Sequence, residues 1–160
     1  MSQAGEEEFY GLLVPLADDR LLVPRSCTAE VVAWVNPEAM PGAPAWYLGT
    51  CSWNGRDIPV ISFEALLGRP VPQPTGRTRV VVLYGLGERL PAGHIGIMTQ
   101  GFPQLVRLNQ DVVKPDPTRE FQDRSPVLCA VRMLNENPLV PDFEFLEDVI
   151  ASEKIGRAHV

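Results

Sequence analysis

The stretch Pro41–Gly68, PGAPAWYLGTCSWNGRDIPVISFEALLG, carries the clearest structural signal in the chain. Asn54-Gly55 separates two runs of strand-forming residues. Asn-Gly is a preferred two-residue type I′ turn because both central residues take a positive φ. Such a turn makes Trp53 and Arg56 neighbours across the two strands. The stretch therefore predicts a tight β-hairpin.

The register that follows from this turn places Cys51 opposite Ile58 and Gly49 opposite Val60. Pro59 has no N–H to donate, so we expect it at an edge or a bulge of the sheet. The segment that comes next, SFEALLG, has a helix-like pattern with a glycine as its stop. It predicts a short helix directly after the second strand.

The rest of the chain reads as short strands broken by glycine and proline, which favours a mainly β barrel or sandwich over a parallel α/β sheet. The expected elements are a hairpin in residues 10–26 across Asp18-Asp19, strands at 28–35, 79–86, 94–98, 104–108 and 127–134, and a terminal helix that buries Phe143, Leu146, Val149 and Ile150. Residues 114–123 are expected to form a polar excursion.

The length of 160 residues fits one domain. We expect an acidic N-terminal tail at 1–8, a domain at 9–152 and a C-terminal tail at 153–160. Prolines and a glycine at 70–76 suggest approximate halves at 9–70 and 77–152, joined by this connection.

The net charge of −6 and a sequence pI near 4.9 argue against a nucleic-acid partner, which would need a basic face. The N-terminus lacks the pattern of a secretory signal, and the longest apolar run, Val80–Tyr84, is too short to span a bilayer. We therefore expect a cytoplasmic protein with no direct membrane insertion. Three widely spaced cysteines indicate reduced thiols, with neither disulfides nor a metal site.

Residues suited to catalysis are scarce. The chain has two histidines, His94 and His159, and the second is next to the C-terminus. Gly85-Leu86-Gly87 lacks the context of a dinucleotide loop. We expect no catalytic residues, no cofactor and no metal, and hence no enzyme. The alternative is a small thiol-dependent enzyme that uses Cys51 or Cys27 with His94 as the base. An oligonucleotide-binding barrel is disfavoured by the acidic charge.

The hairpin region resembles the signature of the CheW-like chemotaxis coupling family. The lead-in Pro44–Gly49, the turn glycine Gly55, the strand Ile58–Ile61 and the helix Phe63–Gly68 follow the family pattern in order. The likeness extends to most of the chain, through Tyr10–Leu22, Ala29-Glu30-Val31, Arg79–Tyr84, Ile95–Leu108 and Asp142–Leu146.

The resemblance implies two small SH3-like five-stranded β-barrels around a shared core, with short helices that include one at the C-terminus. It also implies a non-catalytic adaptor. The partners would be the cytoplasmic tip of methyl-accepting chemoreceptors, the regulatory domain of a CheA-type histidine kinase and other CheW-like adaptors. Such adaptors also serve pilus-based twitching systems, and they reach polar or membrane-associated receptor arrays through their partners.

The interface that the resemblance implies consists of residues on and near the hairpin, namely Glu30, Gly49, Trp53, Asn54, Gly55, Arg56 and Phe102. The chain departs from the family where Asn54 replaces a usual arginine, Ser62 a usual aspartate and Glu64 a frequently basic residue. A neutral amide cannot form the bidentate pair that arginine forms with a carboxylate, so altered receptor docking is expected. Alternatively, Asn54-Gly55 only closes the hairpin.

Overall fold

The computed structural model describes residues 9–86, 90–109, 113–121, 124–133 and 136–158, with side chains in the last helix as far as Glu153. These residues form eleven strands, two α-helices and one 3-10 turn. The elements are β1 Phe9–Pro15, β2 Arg20–Pro24, the 3-10 turn Arg25–Cys27, β3 Thr28–Ala33, β4 Tyr47–Trp53, β5 Arg56–Ile61, α1 Phe63–Leu66, β6 Arg79–Tyr84, β7 His94–Thr99, β8 Gln104–Leu108, β9 Val113–Pro115, β10 Val127–Met133, β11 Leu139–Pro141 and α2 Phe143–Ala158.

The strands form two sheets. The first has six strands in the order β8-β1-β2-β11-β10-β9, and the second has five in the order β3-β6-β7-β5-β4. The mainly β class is confirmed, and the strands expected from the sequence are present. Two strands of the first sheet, β9 and β11, were not expected, because they have only three residues each and show no alternation that a pattern could detect.

Each sheet takes strands from both halves of the chain. The first half supplies β1 and β2 to the six-stranded sheet, and β6 and β7 join the hairpin in the five-stranded sheet. Arg79–Tyr84 of the second half pairs with Thr28–Ala33 of the first half. The halves at 9–70 and 77–152 therefore do not correspond to the two sheets, because long-range pairing and not chain order assembles them.

The shared core lies where the two sheets and α2 meet. Leu146 and Ile150 of α2 are completely buried, and Phe143 and Val149 are half-buried, as the apolar face predicts. They pack with Phe63 of α1 and with buried side chains of both sheets, including Leu21, Ile61, Leu83 and Ile97. The helix runs to Ala158, so residues 153–158 are helical and not the expected tail. Residues 1–8 and His159 lie outside the described residues.

The second sheet curls around a smaller cluster of its own. Ile58, Val80 and Val82 are buried there, and Trp34, Cys51 and Trp53 are among the partly buried side chains packed on them. Burial of these apolar side chains against one another, rather than against α2, gives this sheet a barrel-like interior.

The predicted hairpin register is confirmed at Trp53–Arg56, Cys51–Ile58 and Gly49–Val60. Pro59 was expected at an edge or a bulge. It lies at neither, since β5 is between β7 and β4 and the register shift of the hairpin is at Tyr47/Gly49. The register of β5 against its parallel neighbour β7 starts only at Val60, so a residue without an N–H is tolerated just before it.

Asp116 anchors the segment that follows β9. Its buried carboxylate accepts hydrogen bonds from the Thr118 hydroxyl at 2.6 Å, the Asn137 amide at 2.8 Å and the Thr118 N–H at 3.0 Å, and Arg132 lies at 3.3 Å. These donors, the Thr118 hydroxyl first, hold the pKa of Asp116 well below its usual range despite the opposing effect of burial.

This network predicts acid sensitivity. Because the folded state depresses the pKa, the carboxylate stabilises the fold above its unfolded pKa, near 4, and that stabilisation is lost as the pH falls toward the folded value. Asp116→Asn should lower the melting temperature at pH 7 by several degrees. The difference from wild type should shrink below about pH 4. Thermal unfolding at a series of pH values measures this, and a pH-independent difference would contradict it.

Candidate protein-interaction surface

The hairpin tip adopts the expected turn. Asn54 has φ of 49° and Gly55 has φ of 74°, so both central residues lie in the left-handed region that a type I′ turn requires. Both residues are exposed. The tip is therefore a regular type I′ turn at an accessible corner of the five-stranded sheet.

Next to the tip, side chains from all five strands of this sheet, β3 to β7, meet on one face. The Trp53 Nε1–H donates to Glu30 Oε1 at 3.1 Å, although the two residues are 23 positions apart. The Trp53 ring lies 4.6 Å from the ring of His94, and His94 lies 5.3 Å from the ring of Tyr84. We call Glu30, Trp53, Arg56, Tyr84 and His94 the aromatic face.

Arg56 closes the hairpin opposite Trp53, as predicted. Its guanidinium donates to the carbonyl of Ala92 at 3.2 Å, and the ring beside Trp53 is that of His94. The exposed cation therefore lies at the border between the hairpin tip and β7, and it leaves the aromatic rings accessible.

Gly49 does not belong to this surface, because it is buried. A Cβ at this position would lie 2.2 Å from the Glu38 carbonyl oxygen, and the backbone φ is +133°. Only glycine fits this conformation and this close approach. Its role is to let the chain after β3 contact β4, which is structural.

Phe102 lies elsewhere on the molecule. Tyr84 pairs with His94 at one end of β7, and Arg79 pairs with Thr99 at the other end, about 17 Å away for a six-residue strand. The Arg79 guanidinium lies over the Phe102 ring, 4.6 Å from its centroid, and that ring is exposed. Phe102 therefore cannot share a contact patch with the aromatic face unless the partner is large.

Two departures from the family pattern are internal. Ser62 is buried and caps α1 by accepting a hydrogen bond from the Ala65 N–H at 3.2 Å. Glu64 is also buried, and its carboxylate accepts from the Ala17 N–H at 3.0 Å and from Gln100 at 3.4 Å. Neither side chain is available to a partner.

A long groove borders the aromatic face between the two sheets. Its volume is about 840 Å³, and it shares Glu30 and Tyr84 with that face. Phe9, which is exposed, lies along it, with Tyr10 and Leu108. Apolar and aromatic side chains in a concave site are suited to bind another protein.

The thiol-dependent alternative finds no support. Burial, followed by the negative charge of Asp57, raises the pKa of Cys51, which disfavours the thiolate that a nucleophile needs. His94 is held by the rings of Trp53 and Tyr84, and its Nδ1 lies 3.2 Å from the Ala92 carbonyl. Among the described residues, no group of His, Cys, Asp and Glu could hold a metal ion.

The family model described as CheW-like domain matches residues 10–146 of the chain. The chain belongs to the CheW-like domain family. The chemotaxis protein CheW of Rhizobium meliloti and the "Probable chemotaxis protein CheW" of Rhizobium etli are each 24% identical over 102 residues, which is 64% of this chain. The alignment spans 63% of the length of either relative.

The crystal structure of the scaffolding protein TtCheW from Thermoanaerobacter tengcongensis has the same fold. Its TM-score is 0.74 at 16% identity, and the match covers 91% of this chain and 92% of that one. The CheW-like fold that the hairpin suggested is thus confirmed. Within the part of the chain that the structure describes, no helix is long and apolar enough to cross a membrane.

Sequence reasoning missed two members of the aromatic face. Tyr84 ends an apolar strand, and its exposure was the only available signal, which a sequence does not show. His94 was considered only as a base for a cysteine. Their proximity depends on the pairing of β6 with β7, which places Tyr84 directly opposite His94.

Proposed function

We propose that this CheW-like domain is a non-catalytic cytoplasmic adaptor that couples chemoreceptors to a CheA-type histidine kinase. The observation that carries the proposal is the aromatic face, with the exposed hairpin tip beside it, on a domain of this family. Accessible aromatic rings next to an arginine and a carboxylate are the residue types that anchor protein interfaces.

The partners that we propose are the cytoplasmic tip of a methyl-accepting chemoreceptor, the kinase regulatory domain and other CheW-like adaptors. The adaptor would then reach polar or membrane-associated arrays through these partners, in a chemotaxis or a twitching pathway. The curated relatives are named as chemotaxis proteins, and the solved structure as a scaffolding protein. A pull-down with the receptor tip and with the kinase domain, each alone, tests the proposal. If the folded chain binds neither the receptor tip nor the kinase domain, the proposal is refuted.

Two variants of Asn54 distinguish a role in closing the turn from a role in contacting the partner. Asn54→Ala should lower the free energy of unfolding by about 1 kcal/mol, because alanine is strained in the left-handed conformation. Asn54→Gly should leave it unchanged, because glycine adopts this conformation readily. If the amide contacts the partner, both variants weaken binding at a temperature where both are folded. Normal binding of Asn54→Gly, measured by titration calorimetry, would restrict Asn54 to closing the hairpin.

A further inference from the structure

The five-stranded sheet does not close completely into a barrel. Its edge strands, β3 and β4, lie on either side of a gap. Among the described residues, the backbone crosses this gap at one place, where Glu38 and Thr50 exchange two hydrogen bonds of 2.8 and 3.0 Å. The Trp53–Glu30 hydrogen bond crosses it again through side chains. We call the opening between these two crossings the seam.

The seam leads into the apolar interior of the sheet. It is an open cavity of about 580 Å³. The buried Val80 lines it, together with the partly buried side chains of Val32, Cys51 and Trp53. A cavity of this size accepts a side chain with several methylene groups.

The rim of the seam is acidic. Glu30, Glu38 and Asp57 line it and are exposed. Within the described part of the chain, none of the three forms an ion pair with a lysine or arginine. Arg56, adjacent to Asp57, donates to Ala92 instead. The negative charge of Asp57 also contributes, after burial, to the raised pKa of the Cys51 thiol inside the seam. The charge at the rim therefore acts electrostatically on a group in the interior.

An apolar cavity with an acidic rim is complementary to one kind of side chain. Lysine and arginine have a hydrocarbon stem that packs on apolar surface and a cationic end that stays at the rim. The cation can pair with the carboxylates and lie against an indole such as that of Trp53. We propose that the seam is a socket for a lysine or arginine side chain presented by a partner protein.

The socket borders the aromatic face. The proposal of a socket depends on the proposed adaptor function in one respect only, namely that the lysine or arginine belongs to a protein. A hydrophobic segment without charge would leave the three carboxylates without a cation, and an acidic segment would be repelled. A second copy of this chain, itself acidic with a net charge of −6, is a poorer complement.

The test uses the isotope-labelled full chain and a short end-blocked peptide, GSGRKRGSG, with GSGQQQGSG as the uncharged control. In an NMR titration the arginine–lysine peptide should shift the signals of Val32, Cys51 and the Trp53 indole N–H, and the control peptide should not. Glu38→Gln combined with Asp57→Asn should weaken binding about tenfold. A matched double variant, Glu120→Gln with Glu144→Gln, removes the same charge from exposed sites away from the seam and should bind like wild type.

Equal weakening by both double variants would mean that the peptide is attracted to the net charge of the protein, and it would overturn the proposal. Shifts spread over other acidic surfaces, or no shift at all, would also overturn it. Shifts that appear without peptide as the protein concentration rises would assign the seam to a second copy. The assay contains no receptor or kinase. Peptide binding with a failed pull-down would therefore refute the adaptor function alone, and the reverse result would refute the socket alone.

Discussion

Gly49→Ala should destabilise the domain by about 3 to 5 kcal/mol, enough to unfold much of it at growth temperature. The new Cβ would lie 2.2 Å from the Glu38 carbonyl oxygen and 2.6 Å from its carbon, both of which are backbone atoms that cannot rotate away. The φ of +133° adds strain for any residue with a side chain. To relieve the clash, the Glu38–Thr50 bridge has to open.

Gly55→Ala is the matched control. Gly55 has φ of +74°, and a Cβ there meets nothing within 4 Å, so only the backbone term of about 1 kcal/mol remains. Urea denaturation of the two variants measures the difference. Equal losses would show that the contact with Glu38 is not tight, and the assignment of Gly49 to structure instead of docking would be wrong.

Trp53→Ala should weaken binding to the receptor tip or the kinase regulatory domain by about thirtyfold, or 2 kcal/mol. Large aromatic side chains near the centre of an interface contribute much of the binding free energy. It removes the indole from the aromatic face and breaks the hydrogen bond to Glu30. It also removes packing from the interior of the five-stranded sheet, so stability falls as well.

Trp34→Ala separates the two effects. Trp34 packs on the same buried cluster, and its indole donates to Asn36, not to Glu30. We expect a comparable loss of stability with nearly unchanged binding, when titration calorimetry is run at a temperature where both variants are folded. If Trp34→Ala weakens binding as strongly as Trp53→Ala does, the loss reflects the fold and not a contact.

Local chemistry explains what could be predicted. Asn54-Gly55 specifies its own turn, and the turn sets the register of the hairpin without reference to the rest of the chain. The cap at Ser62 and the stop at Gly68 delimit α1 for the same reason, since both act within a few residues. The apolar face of α2 likewise shows in its own sequence.

Long-range pairing explains what could not be predicted. Nothing local to Val60 indicates that it pairs with Gly96, and nothing local to Leu21 indicates Leu139. The aromatic face depends on such pairings, so Glu30 and Trp53 could be selected only through resemblance. The family resemblance also placed Gly49 among the docking residues, although it is buried. A glycine required for close packing and a glycine exposed at a turn cannot be distinguished in a sequence.

The measurement that tests the adaptor function most directly is co-sedimentation of the kinase with receptor-containing membranes from the same organism. We expect the regulatory domain to sediment when the full chain is added and to remain in the supernatant without it. Trp53→Ala should abolish this dependence at concentrations where Trp34→Ala preserves it. If the folded wild-type chain leaves the kinase in the supernatant, while the kinase and receptors are each shown to be competent, the chain does not couple them and the proposed function is wrong.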